Sequence, residues 1–194
     1  MRQRLTGRIV VYDLEFTAWE GSRARRWSGP GEHREVVQVG AVALDADDGF
    51  RETDSLELFV KPRINPMLSD YFVALTGIST AEVHSRGIDF ADALDRFAAF
   101  AGEGDVPLLS FGPDYAVLRE NCRLIDHPYP FAASQEMDVT TLIGRAGDLD
   151  LKGVASSDLP HVMGFVSPGP KHQALFDARS VAEALRVLRR RYLV

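Results

Sequence analysis

Ile9-Val10-Val11-Tyr12-Asp13-Leu14-Glu15-Phe16-Thr17 opens as a β-rich apolar run and then turns acidic without losing its alternation. Side chains alternate across a strand, so Ile9, Val11, Asp13 and Glu15 share one face while Val10, Tyr12, Leu14 and Phe16 share the other. One face therefore passes from apolar to doubly anionic. Two like charges on neighbouring same-side positions at the end of a buried strand repel, and both resist desolvation unless a cation lies between them. A divalent metal is the simplest such cation. The competing reading ends the strand at Tyr12 and turns both carboxylates into water.

Working outward, Glu35 to Leu44 is a second core strand rich in Val and Ala, and Leu56 to Val60 a third that stops at Lys61-Pro62. After Pro66, the Leu68 to Leu75 stretch enters a helix that ends at Gly77. Asp89 to Phe100 sets Phe90, Ala93, Leu94, Phe97 and Ala98 on one stripe, predicting an amphipathic helix. Val106 to Phe111 returns to strand character, Tyr115 to Leu124 reads as helix, and Val139 to Ile143 as a short helix beyond a loop at Pro128 and Pro130. Gln173 to about Arg190 is the clearest helix. This order predicts an α/β fold, a mixed sheet covered by helices, in a single domain over residues 1–194 with its core at about 8–190. Between the first two strands, Glu20 to Arg34 reads as a long Arg-rich loop.

Composition narrows the class. Apolar residues make up 45% and charged residues 26% of the 194, which excludes disorder, collagen and coiled coil. No run approaches the ~20 apolar residues of a membrane span. Met1-Arg2-Gln3-Arg4 leads into no signal-peptide core, so the expected location is cytoplasmic, with no membrane partner. The lone Cys122 reads as a small buried hydrophobe. The net charge of −6 argues against non-specific polyanion binding, but it is unevenly spread. Residues 1–34 hold seven Arg against four acids, and residues 171–194 hold six basic residues against two acids. An acidic body is flanked by basic ends.

The last helix repeats the anomaly of the first strand. Its inward stripe runs Ala174, Asp177, Val181, Ala184, Leu188, placing a carboxylate among core positions. His172 stands five residues before Asp177 at the loop-to-helix junction, where it either leans over whatever Asp177 binds or serves as a cap. Asp114, after Ser110-Phe111-Gly112-Pro113, is a third acidic group at a strand-to-helix junction, with a plain N-cap as its alternative role. Side chains at one edge of an α/β sheet converge on one crevice.

Asp13-Leu14-Glu15 with Thr17, then Asp114, then His172-Gln173-Ala174-Leu175-Phe176-Asp177-Ala178 resemble, in order and spacing, the signature of the DEDDh superfamily of 3′-to-5′ exonucleases. Leu58-Phe59-Val60-Lys61-Pro62, Leu75-Thr76-Gly77-Ile78 and Ser110-Phe111-Gly112 are similar to the same superfamily, especially its branch that trims RNA 3′ ends. The resemblance implies a ribonuclease H-like fold. It also implies metal-dependent hydrolysis of single-stranded RNA or DNA from the 3′ end to nucleoside 5′-monophosphates, using two divalent ions, Mg²⁺ or Mn²⁺, about 3.5 to 4 Å apart. By the same likeness Asp13, Glu15, Asp114 and Asp177 are metal ligands, and His172 is the general base, its ordinary pKa of ~6.5 suiting neutral-pH proton transfer.

Phe16, Thr17 and Trp19, with Leu75 and Thr76 opposite, occupy the stretches that border the terminal nucleotide in such enzymes. Core packing is the competing role for Phe16. Arg23, Arg25, Arg26 and Trp27 are expected to meet phosphates of the incoming strand. Departures from the family pattern are Gln38 and Phe176, where relatives often carry acidic residues, and Pro113 before Asp114. The sequence is read as carrying no appended nucleic-acid-binding domain, so a homodimer or a recruiting protein partner is expected. The alternative reading is an inactive nucleic-acid-binding module within a larger complex.

Overall fold

Five strands form one mixed sheet in the order β3-β2-β1-β4-β5, seen in a computed structural model that describes residues 5–191. The segments Met1 to Arg4 and 192–194, which the sequence reading included in the domain and its basic ends, lie outside the described residues. The strands are β1 (Arg8–Phe16), β2 (Val36–Asp45), β3 (Arg51–Phe59), β4 (Leu108–Ser110) and β5 (Glu136–Asp138). The three long strands pair antiparallel as a meander, and β4 and β5 add to β1 in parallel.

The described helices are α1 (Asp70–Thr76), α2 (Thr80–Arg86), α3 (Phe90–Ala101), α4 (Asp114–Leu124), α5 (Thr140–Gly147), α6 (Leu159–Met163) and α7 (Ala174–Arg190), with a 3-10 turn at Ser156–Asp158. None of them is long and apolar enough to cross a membrane. The expected mixed α/β sheet is therefore present, and β1 runs four residues past Tyr12, through both carboxylates.

Alternation sorts β1 between two cores. Ile9 and Val11 join Val42, Leu44 and Leu109 beneath α5, α6 and α7, where Val181, Ala184, Leu185 and Leu188 are buried. Val10, Tyr12 and Leu14 face the opposite layer with Val39, Ala41, Phe97 and Val117, under α3 and α4. A smaller cluster joins Val37 and Phe59 to Phe72, Ile78 and Val83 of α1 and α2. Cys122 is buried in the second layer, as expected.

Local chemistry sets the helix ends. Ser69 accepts a hydrogen bond from the Phe72 amide, and Gly77 closes α1 at φ 74°, a left-handed position that favours glycine. Ser79 caps α2 in the same way, accepting from the Glu82 amide.

Because β4 runs parallel to β1, with Val10 opposite Leu108 and Val11 opposite Leu109, both strands finish at the same edge of the sheet. The chain leaving β4 enters α4 at Asp114, beside the acidic end of β1. A register shift between Glu15 and Phe16 bends the strand at that point.

Candidate active site

The acidic end of β1 lies under the first turn of α7. Asp13 pairs in register with Gly40 on β2, and Glu15 pairs with Gln38. A β-carbon on Gly40 would fall 2.0 Å from the Leu175 nitrogen and 2.2 Å from the Ala174 carbonyl carbon. Only a glycine lets the α7 backbone rest directly on the sheet here. Gln38, 1% exposed, fastens the same turn: its Oε1 accepts the Ala174 amide at 2.9 Å and its Nε2 donates to Glu57 at 3.2 Å. In this seating Asp177, on the inward stripe of α7, comes down over β1.

Asp13, Glu15 and Asp177 are buried at 6%, 9% and 3% exposure. One ligand atom from each of Glu15, His172 and Asp177 lies within 4.8 Å of the others. Asp13 and Asp114 belong to the same electrostatic group. Burial pushes Glu15 and Asp114 well above the usual carboxylate range, and the negative charge of Asp13 adds to both shifts. Burial and then Asp13 push Asp177 up to about 8, with the His172 backbone amide pulling the other way. Burial pushes Asp13 itself up to about 7, against the Ser156 hydroxyl, which donates to its Oδ1 at 2.9 Å.

Among the described residues, none of these four carboxylates forms an ion pair with Lys or Arg. Three buried carboxyl groups and the half-buried Asp114, gathered without an ion-pairing side chain, offer oxygen donors that fit hard divalent cations, with the His172 imidazole beside them.

His172 is half-buried at the loop-to-helix junction, with φ 57° in the left-handed region. Burial lowers its pKa below the ordinary value, opposed by Asp158 and assisted by Lys171, and those two side chains pair with each other at 2.6 Å.

Around this centre the remaining expected residues divide. Phe16 is half-buried, its ring 5.4 Å from that of Trp27, whose indole N–H donates to the Thr17 carbonyl at 2.9 Å. Thr17 is buried with its hydroxyl spent on the backbone, donating to the His33 carbonyl and accepting the Glu35 amide. Thr76 is likewise buried, donating to the Phe72 carbonyl and accepting the Ile78 amide. The hydroxyls of both threonines are thus tied up inside the fold, whereas Trp19 is half-buried and Leu75 is 38% exposed. In the 20–34 loop Arg23 and Arg26 are exposed, and Arg25 is committed to a bidentate pair with Glu32.

Three contributors escaped the sequence reading. Glu35 is buried and accepts the amides of Arg63, Ile64 and Asn65, fastening the segment before α1. Ser156 lies 143 residues from its partner Asp13, with no local signal. Gly40 did carry a signal, since a glycine inside an apolar strand marks close backbone approach.

A family model described as Exonuclease (RNase_T) matches residues 10–185. ERI1 exoribonuclease 2 of Xenopus laevis is 28% identical over 89 residues, 46% of this chain and 12% of that protein. The human ERI1 exoribonuclease 2 is 29% identical over 90 residues, again 46% and 12%. The match thus spans about an eighth of the length of these curated relatives.

Among solved structures, the nuclease domain of 3′hExo, a DEDDh family member bound to rAMP, superposes with a TM-score of 0.81 at 23% identity, covering 95% of this chain and 93% of that one. Cell-death related nuclease 4 superposes at 0.77 with 17% identity, over 96% and 64%. The E. coli exonuclease I–ssDNA complex superposes at 0.71 with 15% identity, over 97% and 42%. These likenesses give the ribonuclease H-like fold expected from the sequence, and with the family match over residues 10–185 the chain belongs to the Exonuclease (RNase_T) family.

Proposed function

We propose that this chain is a metal-dependent 3′-to-5′ exonuclease that hydrolyses single-stranded RNA or DNA from the 3′ end and releases nucleoside 5′-monophosphates. The single observation that carries the reading is the gathering of Asp13, Glu15, Asp114 and Asp177 at one sheet edge without a cationic partner, with His172 beside Glu15 and Asp177.

Asp13, Glu15, Asp114 and Asp177 are the residues to hold two divalent ions, Mg²⁺ or Mn²⁺. When bound, such ions neutralise the carboxylates, offset charge on the scissile phosphate and lower the pKa of the attacking water. His172 takes the proton of that water on a ring nitrogen. Its depressed pKa supports this role, because it leaves the imidazole neutral and able to accept a proton at pH 7. The Ser156 hydroxyl orients Asp13 through Oδ1. Trp19 and Leu75 are the side chains with open surface for the terminal base, a stacking contact worth ~1 to 3 kcal/mol for an aromatic partner.

In this reading residues 8–190 form the catalytic domain, 20–34 is an insertion loop over the incoming strand, and the protein works in the cytoplasm. The test is incubation with 5′-labelled single-stranded RNA and DNA of one sequence, with Mg²⁺, with Mn²⁺ or with chelator. A ladder that shortens from the 3′ end only when metal is present is the expected result. No cleavage of either strand, with binding retained, would leave a recognition module in its place.

A further inference from the structure

Phe176 has no part in the reaction proposed above, yet its ring lies against the segment that carries His172. A β-carbon on Gly169 would fall 2.2 Å from Cδ1 and 2.4 Å from Cγ of that ring, so the loop runs flush across the aromatic face only because residue 169 has no side chain. On the α7 side the Arg179 guanidinium lies 5.9 Å from the ring centroid and pairs with Glu52 of β3 at 2.8 Å. Gly169 precedes His172 by three residues and Phe176 follows it by four, so their contact closes the base of the turn that presents the imidazole.

His172 itself is held at φ 57°, a conformation non-glycine residues keep only where the surroundings impose it. The other ties of this turn are polar: the His172 backbone amide donates to the Asp177 carboxylate, and the rest lie farther out. The Ser167 hydroxyl donates to the Gly169 carbonyl at 2.7 Å, and Lys171 pairs with Asp158 at 55% and 44% side-chain exposure, a setting in which ion pairs hold weakly. Val166, at the start of the turn, is 91% exposed.

We infer that Phe176 is a positioning residue: its ring latches the 166–172 turn to α7 and thereby fixes where the His172 imidazole stands over Glu15 and Asp177. The inference rests on the reading of His172 as the base. Phe176 offers no ligand atom, so the latch governs the imidazole and leaves metal holding to the carboxylates. Misplacing a reacting group by an ångström costs up to about 100-fold in rate.

The test compares full-length Phe176→Ala and Phe176→Tyr with the unaltered chain. In the metal-free protein, amide exchange across 166–172 is expected to speed by about tenfold or more in Phe176→Ala and to stay unchanged in Phe176→Tyr, which keeps the ring. Mg²⁺ affinity by calorimetry is expected to hold in both. On a single-stranded oligonucleotide, kcat is expected to fall about 10- to 100-fold in Phe176→Ala with KM little changed, and Phe176→Tyr to restore it. Unchanged exchange, unchanged kcat, a Phe176→Tyr variant as poor as Phe176→Ala, or a loss of Mg²⁺ affinity that tracks kcat would each overturn the latch. If Phe176→Ala does not fold, Gly169→Ala probes the same contact from the loop side and is expected to give the same kcat loss; full kcat there overturns the latch equally. An unaltered chain that hydrolyses nothing defeats the nuclease reading, whereas the exchange arm judges the latch by itself.

Discussion

Gly40 of β2 and Leu175 of α7 meet backbone to backbone, with 2.0 Å between the Leu175 nitrogen and the place a β-carbon on Gly40 would occupy. That contact decides how deep α7 sits, and therefore whether Asp177 reaches the end of β1. Gly40→Ala is expected to lift the first turn of α7 and break the Gln38 to Ala174 hydrogen bond, at a cost of about 3 kcal/mol or more. Thermal melting with Mg²⁺ calorimetry checks it: a variant that melts and binds like the parent would show that α7 is seated elsewhere.

The crowding of carboxylates has a sign in pH. In the unfolded chain Asp13 and Asp177 titrate near ~4, while in the metal-free fold they titrate at about 7 and about 8. Between those limits the folded state binds more protons than the unfolded one, so stability falls as pH rises through the window of about 4 to 8. Asp13→Asn and Asp177→Asn are therefore expected to melt higher than the metal-free parent at pH 8, by about 2–4 °C for each kcal/mol regained, and close to it at pH 4. Only the parent is expected to gain stability from Mg²⁺, and both variants are expected to lose hydrolysis. Variants that are less stable than the metal-free parent at pH 8 would contradict this account.

Ser156 acts on Asp13 from outside the proposed ligand set. Ser156→Ala removes the donor to Oδ1 and frees the carboxylate to turn, and loss of such outer partners weakens metal binding by about 10- to 100-fold. The expected outcome is that loss in Mg²⁺ affinity, with a melting temperature near the parent's. Equal affinities in calorimetry would mean that Asp13 is oriented by something else.

How much of this was legible depended on whether a signal was local. Alternation in 9–16 carries Asp13 and Glu15 in apolar positions, the stripe through Ala174, Asp177, Val181, Ala184 and Leu188 carries Asp177, and all three carboxylates are buried where those patterns put them. Asp114 stands at the head of α4 with Pro113 in the capping place, so the simple N-cap role falls away. Helix α2 was missed although Ser79-Thr80-Ala81-Glu82 carries a capping signature, because Val83 is the one buried residue across its seven. Strand β5, Glu136–Asp138, is three residues long with no alternation to read, and exists because β4 offers it a parallel edge. Ser156 and Asp13 are joined only by the fold, and no pattern in either segment foretells it.

His172→Ala separates proton transfer from binding. With the carboxylates intact, metal and oligonucleotide affinity are expected to persist while kcat falls by about 10² to 10⁴, the usual contribution of a positioned base. Steady-state rates alongside calorimetry decide it, and undiminished turnover would remove His172 from that role.

The Arg-rich loop makes a prediction in which three neighbouring arginines differ. Arg23 and Arg26 are exposed, whereas the Arg25 guanidinium is held by Glu32, whose carboxylate cancels its charge toward an approaching phosphate. Each phosphate contact on a single strand contributes about 0.7 to the slope of log affinity against log salt. In a His172→Ala background, which binds but turns over slowly, Arg23→Ala and Arg26→Ala are each expected to flatten the slope by about that amount if the strand crosses the loop. Arg25→Ala is expected to leave the slope alone and loosen the loop instead, since it strips Glu32 of its partner. Anisotropy titrations of a labelled oligonucleotide across salt separate these cases: identical slopes in all the variants would place the incoming strand on another face, and a flattened slope in Arg25→Ala would mean that nucleic acid displaces Glu32.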